Sequence, residues 1–454
     1  MRYLSTRGSA PELGFGDVLL AGLADDGGLY VPAEWPSIDT RSAGDYAALT
    51  ASVLAPYVAP EIGGDELLGL CVDSYAGFRH PEVAPLVQID DEQWLLELFH
   101  GPTLAFKDMA LQLVGRMFDL LLERRDERIT IVGATSGDTG SAAIEGVRGC
   151  ERVQIVILYP EGRTSEVQRR QMTTVDAPNV HTLAVDGTFD DCQDLVKAMF
   201  ADRSFRESQR LSAVNSINWA RIVAQTAYHA SAADRMGEID VCVPTGNFGN
   251  VLAGWIARHT GADIGRLIVA SNANDILTRF ITDRDMSTAP VVGTLSPSMD
   301  IQVSSNFERL LFEMNDRDGA RTADDLLRFR ATGRLDTDPD AFDRWIAPVF
   351  DAASVSDDET LAEVARVYRD TGLLIDPHTA TGTVAARRLL GDRPMVTLAT
   401  AHPAKFPDAV ERATGVRPEL PDELADLYER SERLTRVSND LGEVEALISR
   451  LCPV

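Results

Sequence analysis

The fold turns on the stretch Ile129-Thr130-Ile131-Val132-Gly133-Ala134-Thr135-Ser136-Gly137-Asp138-Thr139-Gly140-Ser141. It opens on a short, largely β-branched apolar run, the composition of a strand buried on both faces. Residues 133–140 are small or hydrogen-bonding, as in a tight turn, and a helix is predicted from Ser141. Outward from this stretch the same order repeats. Residues 153–159 read as a strand closed by Pro160-Glu161-Gly162. Residues 241–244 read as a strand, 246–250 as a turn, and a helix then runs through Arg258. Residues 267–270 and 395–399 are further strands, and 94–99 a strand or buried segment. Strands alternating with helices imply an α/β fold of mostly parallel sheets flanked by helices.

The 454 residues suggest two or three domains, at roughly 100–200 residues each. We expect an N-terminal region over 1–95, a smaller α/β domain over 96–235 and a larger α/β domain over 236–454. A helix over 106–123 has a broad apolar face that includes Met109, Leu113, Met117 and Leu121. Residues 314–370 read as acidic and helical, and the tail from Pro421 as one or two amphipathic helices.

With 44% hydrophobic and 25% charged residues, the composition is that of an ordinary globular protein. No apolar run approaches the ~20 residues that span a bilayer. The first residues carry no signal-peptide core, so a cytoplasmic location is expected. The formal net charge of −27 opposes nucleic acid and anionic membrane surfaces as partners. Cys71, Cys150, Cys192, Cys242 and Cys452 form no CxxC pair and read as small buried apolar residues. The seven histidines show neither HExxH nor an i,i+4 pair, so no metal site is expected.

The basic residues are lopsided. Of 43, the only lysines are Lys107, Lys197 and Lys405; the other 40 are arginine. Where positive charge alone suffices, arginine has taken the position. A surviving lysine is a candidate for work arginine cannot do, such as forming a Schiff base through a primary amine. Lys197 follows Asp190-Asp191-Cys192-Gln193-Asp194 and reads as a solvated helix face pairing with Asp194 or Gln193. Lys405, in His402-Pro403-Ala404-Lys405-Phe406-Pro407, either reaches a pocket or holds charge at the surface. Lys107 stands between Phe106 and Asp108 at the start of the apolar helix. A positive helix end and apolar surroundings both disfavour its ammonium form. The plainer reading is a first-turn surface lysine paired with Asp108.

Three strand-to-helix turns are rich in small, hydrogen-bonding residues: 133–140, 245–250 and 400–405. Ligands bind at the carboxyl ends of strands in open α/β sheets. Glycines let backbone approach an anion, and a following helix offers free N–H groups. Two such loops suggest two anionic groups, although each alone reads equally as a tight turn with a helix cap. Gly133, Gly137 and Gly140 miss the GxGxxG spacing, no GK[ST] follows either glycine loop, and Ser136 lacks the flanking glycines of GxSxG. A Schiff-base lysine beside an anion loop suits pyridoxal phosphate, an electron sink whose ring nitrogen the protein must also control. A neutral hydroxyl such as that of Thr400 would leave that nitrogen less protonated than a carboxylate would.

Several longer motifs carry a resemblance. They are Ser5-Thr6-Arg7-Gly8, Asp26-Gly27-Gly28-Leu29-Tyr30-Val31-Pro32, Phe99 to Asp108 (FHGPTLAFKD), Ala134 to Gly140 (ATSGDTG), Asn215 to Arg221 (NSINWAR), Gly246-Asn247-Phe248-Gly249-Asn250 and Thr400 to Phe406 (TAHPAKF). In this order the chain resembles the threonine synthases of the long bacterial and fungal type. The resemblance implies the pyridoxal-phosphate fold of the tryptophan-synthase-β type with an added N-terminal region. It implies a lyase converting O-phospho-L-homoserine and water to L-threonine and phosphate, the last step of threonine biosynthesis. Carried over by position, Lys107 bonds the cofactor and moves protons on the substrate. Gly246, Asn247, Phe248 and Asn250 cradle the cofactor phosphate, and Thr400 meets the ring nitrogen. Thr135, Ser136, Asp138 and Thr139 hold the substrate carboxylate or a cofactor hydroxyl. Asn215, Ser216 and Arg221 receive the substrate phosphate. Asp138 stands where many fold relatives have asparagine, a poor neighbour for anions unless it is protonated or paired. The roles of Asp138, Lys405 and His100 are open, and a monomer or homodimer is expected.

A serine or threonine dehydratase of the same fold is the near alternative, separated by the second phosphate pocket. A dinucleotide oxidoreductase, resting on the 133–140 turn and Glu161, and a non-catalytic small-molecule binder are the distant ones.

Overall fold

Two parallel sheets face each other across a cleft, and the strand order brings the chemistry-bearing loops to it. The structure, a computed structural model, describes residues 1–38, 44–135 and 137–453. The larger sheet runs Phe350–Ser354, Ile264–Ser271, Ile239–Pro244, Met395–Ala399, Gln93–Glu97 and Leu86–Gln88. All neighbours in it are parallel except the last pair, which is antiparallel. The smaller sheet runs Thr435–Val437, Val180–Val185, Val153–Pro160, Ile129–Ala134 and Leu211–Ser212, all parallel.

Neither sheet is built from one contiguous segment. Gln93–Glu97, before the lysine helix, lies in the larger sheet beside a strand some 300 positions later. Thr435–Val437 leaves the C-terminal segment to close an edge of the smaller sheet. Two expectations need correction here. Residues 314–370 are not wholly helical, because Phe350–Ser354 is an edge strand of the larger sheet. The tail holds one of the one or two expected helices, Leu441–Leu451, and before it a strand that was not expected, Thr435–Val437.

In the larger sheet, Ile239–Pro244, Met395–Ala399 and Gln93–Glu97 are successive neighbours. Their carboxyl ends lead into the 245–250 loop, Thr400 and the segment reaching Lys107, so three candidate loops emerge side by side. In the smaller sheet, Ile129–Ala134 and Leu211–Ser212 pair directly and lead into Thr135 and Asn215.

The helix Lys107–Arg125 is the central packing element. Met109, Leu113, Met117, Phe118 and Leu122 on it are buried in the main core. It lies against Asp138–Val147 at a glycine contact, where a Cβ on Gly115 would sit 1.8 Å from Gly146 O. Only glycine admits two helix backbones so close. The helix Asp138–Val147 starts earlier than expected because the Thr135 hydroxyl accepts from Gly137 N and Gly140 N, each at 2.9 Å. Gly137 takes φ 148° to make that turn. Among the described residues no helix is long and apolar enough to cross a membrane.

Candidate active site

Lys107 opens its helix and is buried, as the apolar run around it requires. The segment before it is stitched to the chain leaving Met395–Ala399. Leu98 N donates to Ala399 O at 3.0 Å, Phe106 N to Thr400 O at 2.8 Å and His402 N to Leu104 O at 3.0 Å. Lys107 and Thr400 are thereby fixed on one backbone ladder. Burial pushes the Lys107 amine below its ordinary pKa; Asp138 pulls it back up, and Arg221 and Lys405 push it further down. Asp108 does not pair with Lys107. Its carboxylate turns away to accept from Thr103 N and Thr103 Oγ1, each at 2.7 Å, and burial lifts its pKa to about 6 against those bonds.

Asp138 is ionised and shared. Its Oδ2 is 3.4 Å from Lys107 Nζ, and its Oδ1 is 2.9 Å from Lys405 Nζ and accepts from Gln168 Nε2 at 2.9 Å. Burial works to raise this carboxyl, but Lys405 and Lys107 outweigh it and hold the group well below the usual carboxylate range. Thr135, on the same loop, accepts two amides through Oγ1, which leaves its hydroxyl proton to donate. Thr139 is half-buried and lines the cleft, whereas Ser136 lies outside the described residues.

The 245–250 loop is built to receive an anion. Phe248 takes the left-handed φ of 63°, held by its ring against Phe307 at 5.4 Å and Phe350 at 6.0 Å. A Cβ on Gly246 would meet Ser298 O at 2.6 Å. Among the described residues the backbone N–H groups of 246–250 find no protein acceptor. Asn250 Oδ1 accepts from Tyr228 OH at 2.6 Å and lies 3.1 Å from His229 Nε2, while Asn250 Nδ2 is buried without a partner. Thr400 is buried at the same cleft.

Arg221 stands in the helix Trp219–Met236, 3% exposed. Burial lowers its pKa to about 10. Its Nη1 reaches only Val214 O, at 3.5 Å, its Nε has no partner, and among the described residues no carboxylate pairs with it. A buried guanidinium in that state is costly unless a ligand anion completes it. Half-buried Ser216 and exposed Asn215 line the cleft beside it. The cleft has a volume of about 1580 Å³ and holds every described candidate residue. His100 is not among its lining residues; it pairs with Glu97 at 2.8 Å and packs on His80 and Phe99. Lys197 is exposed and pairs with Asp194 at 2.9 Å.

Some residues of the site gave no sequence signal. Asn306, fully buried, ties the two anion loops together. Its Nδ2 donates to Ser216 O at 3.0 Å and Asn247 O at 3.1 Å. Arg309 holds Asn306 Oδ1 at 2.5 Å, Ile217 O at 2.6 Å and Tyr30 O at 2.9 Å. The Ser5-Thr6-Arg7-Gly8 motif braces the helix Phe307–Met314, which follows Asn306 and carries Arg309, with Thr6 Oγ1 donating to Glu308 at 2.6 Å and Arg7 paired with it at 3.1 Å. His378 also faces the cleft. Its Nδ1 is 2.8 Å from Asp376, and its Nε2 accepts from Ser298 N at 3.3 Å.

A primary amine disfavoured as ammonium, set opposite a row of free amides, is what a phosphorylated aldehyde requires. Residues 79–401 match the family model described as pyridoxal-phosphate dependent enzyme, and that is the class of this protein. Residues 2–75 match the model for the threonine synthase N terminus, and 379–448 that for the threonine synthase C-terminal region. The chain belongs to the threonine synthase family, lyases that depend on pyridoxal phosphate. It is 52% identical to the threonine synthase of Pseudomonas aeruginosa, over 99% of this chain and 98% of that one. It superposes on the pyridoxal-phosphate-bound threonine synthase of Brucella melitensis with a TM-score of 0.97 and 48% identity, over the whole of both chains. The yeast threonine synthase gives 0.92 at 39% identity over 99% of this chain and 98% of that one. A threonine deaminase of Solanum lycopersicum shares the fold alone, at 12% identity and a TM-score of 0.52 over 88% of this chain and 94% of that one.

The residues present fit the cofactor: unpartnered amides and the orphan Asn250 Nδ2 suit its phosphate, and a buried amine suits its aldehyde. Asn306→Ala would strip one donor from both anion loops. An unsatisfied buried carbonyl costs about 1–3 kcal/mol. Faster cofactor loss on dialysis and a higher KM for a phosphorylated substrate are both expected, each by roughly tenfold. A change in only one of the two would refute the bridging role.

Proposed function

We propose that the cleft converts O-phospho-L-homoserine and water to L-threonine and phosphate, with Lys107 carrying the cofactor. Gly246, Asn247, Phe248 and Asn250 would hold the cofactor phosphate, and Thr400 would meet the ring nitrogen. Thr135, Ser136, Asp138 and Thr139 form the loop for the substrate carboxylate or a cofactor hydroxyl. Asn215, Ser216 and Arg221 would take the substrate phosphate. One observation carries the reading: among the described residues Arg221 is a buried guanidinium without a carboxylate, in the same cleft as a second loop of free amides. Two phosphate sites beside the carboxylate loop suit a phosphorylated substrate on a phosphorylated cofactor; a dehydratase needs a phosphate site for its cofactor alone.

When bound, the cofactor supplies the electron sink for charge developing on the substrate carbons. The chain's residues do the rest. Lys107 Nζ takes the proton from the substrate α-carbon and later serves the β-carbon, a role typically worth about 10²–10⁴ in rate. Arg221 grips the phosphate with planar donors and offsets its charge as the γ-carbon–oxygen bond breaks. The N-terminus of the helix Gly249–Thr260, whose first turn holds Asn250, would favour the cofactor phosphate.

We place the enzyme in the cytoplasm as a monomer or homodimer acting on a small molecule, without nucleic-acid partners. The charge of −27 disfavours nucleic acid, and no helix among the described residues is long and apolar enough to cross a membrane. Purified protein given O-phospho-L-homoserine should release phosphate and threonine in equal amounts. A keto acid formed from L-serine or L-threonine, with no phosphate release from phosphohomoserine, would overturn the proposal in favour of a dehydratase.

A further inference from the structure

Lys405 is fully buried in the turn that follows the strand Met395–Ala399. Its Nζ meets three oxygens, one for each ammonium proton: Asp138 Oδ1 at 2.9 Å, Thr103 O at 2.8 Å and Gln171 Oε1 at 3.0 Å. A point ammonium with three rotatable donors suits such converging acceptors; a wide planar guanidinium does not. That accounts for a lysine here in a chain that otherwise uses arginine.

Asp138 stands between this lysine and Lys107. Oδ1 faces Lys405 and Gln168, while Oδ2 faces Lys107 at 3.4 Å and Ser298 Oγ at 3.4 Å. One buried carboxylate therefore serves two buried lysines. Burial favours the set with no net charge, which is one carboxylate, one ammonium and one free amine. Lys405 has the shorter ion pair and two further acceptors, whereas among the described residues Lys107 has Asp138 as its one hydrogen-bonding partner, besides the Phe106 ring at 4.8 Å.

We infer that Lys405 keeps the proton and occupies Asp138, so that Lys107 is left as the free amine. Lys405 is thus a positioning residue that sets the protonation state of the reactive lysine. The inference rests on the reading that Lys107 carries the cofactor. The charged groups facing Lys107 are Asp138 from one helix, Arg221 from a second and Lys405 from the turn after the strand Met395–Ala399. Arg221 acts in the same sense as Lys405 but touches no carboxylate. Lys405 also faces Asp108 and His402 at longer range, and both keep other partners. His378 reaches the Ser298 amide rather than either lysine. The directions of the Lys107 and Asp138 shifts agree with this sharing.

The test follows attachment of pyridoxal phosphate to the full chain stripped of cofactor, read as the growth rate of yellow absorbance across pH. Borohydride trapping and peptide mapping identify the lysine. Attachment follows the free-amine fraction of Lys107, so each variant has a midpoint pH. In Lys405→Met the whole Asp138 charge falls on Lys107, which keeps its proton, and the midpoint should rise by about 1–3 pH units. Asp138→Asn should lower the midpoint. Lys405→Met added to Asp138→Asn should raise it far less than Lys405→Met alone, because the shared carboxylate is gone and only the direct repulsion between the two lysines is removed. A structural defect would reduce the amplitude at every pH and persist in the asparagine background. An unchanged midpoint in Lys405→Met, or the same rise in the double variant, overturns the inference. Should Lys405→Met not fold, a midpoint in Asp138→Asn at or above that of the unmodified chain overturns it equally. Trapped cofactor on a lysine other than Lys107 in the unmodified chain would instead overturn the underlying reading.

Discussion

Lys107→Ala should leave a folded protein that cannot bond its cofactor and turns over phosphohomoserine more slowly by roughly four orders of magnitude. The stability half of this expectation follows from the lysine's surroundings. Its polar partner among the described residues is Asp138, at 3.4 Å, and Asp138 keeps Lys405 and Gln168 when Lys107 is gone. No buried charge is orphaned by the change, so the large penalty for breaking a buried pair does not arise. The rate half follows from the two tasks of one amine. Proton transfer alone is typically worth about 10²–10⁴, and loss of covalent anchoring adds to it. The phosphate loop is untouched, so the variant should still retain pyridoxal phosphate without a bond to protein. Borohydride followed by peptide mapping then finds no pyridoxyl mass, while circular dichroism and the melting temperature stay near those of the unmodified chain. Lys107→Arg should not rescue, because a guanidinium offers no primary amine. A pyridoxyl adduct that persists in Lys107→Ala would transfer the anchor to the lysine of the mapped peptide, Lys197 or Lys405.

Lys107 was legible in the sequence because two local signals coincide there, its scarcity among arginines and its place at the start of an apolar helix. The turns at 133–140 and 245–250 were legible as turns because glycine and hydroxyl residues stand there between a strand and a helix; only their pairing with Lys107 favoured anion sites over plain helix caps. Lys405 was not, because its partners come from positions 103, 138 and 171, and nothing beside it in the chain announces them. Asn306 and Arg309 failed for the same reason. Each is an ordinary polar residue until two distant loops close on it. The early start of the Asp138–Val147 helix depends on one hydroxyl taking two amides, a geometry that composition does not encode. The edge strand Thr435–Val437 has a three-residue sequence with no alternation to detect, and its pairing with Val180–Val185 is decided by what the smaller sheet leaves open.

Arg221→Ala carries the second large expectation, and its sign differs between stability and turnover. Without ligand, Arg221 is a buried charge with an unpartnered Nε and one long bond to Val214 O. Removing it relieves an unfavourable burial, so the variant should melt at or above the temperature of the unmodified chain. With ligand the balance reverses. Truncating one partner of a buried, hydrogen-bonded charge pair costs about 2–5 kcal/mol. At 1.4 kcal/mol per tenfold, kcat/KM for phosphohomoserine should fall by roughly thirty-fold to several thousand-fold. Added inorganic phosphate should stabilise the unmodified chain by occupying this pocket and should no longer stabilise the variant. The 245–250 loop binds its anion through backbone amides and Asn250, so cofactor retention should not change. Melting curves with and without phosphate, cofactor absorbance after dialysis, and phosphate release measure the three consequences on the same two proteins. Loss of cofactor as the main effect would mean that Arg221 serves the cofactor phosphate and that the second anion site lies elsewhere in the cleft.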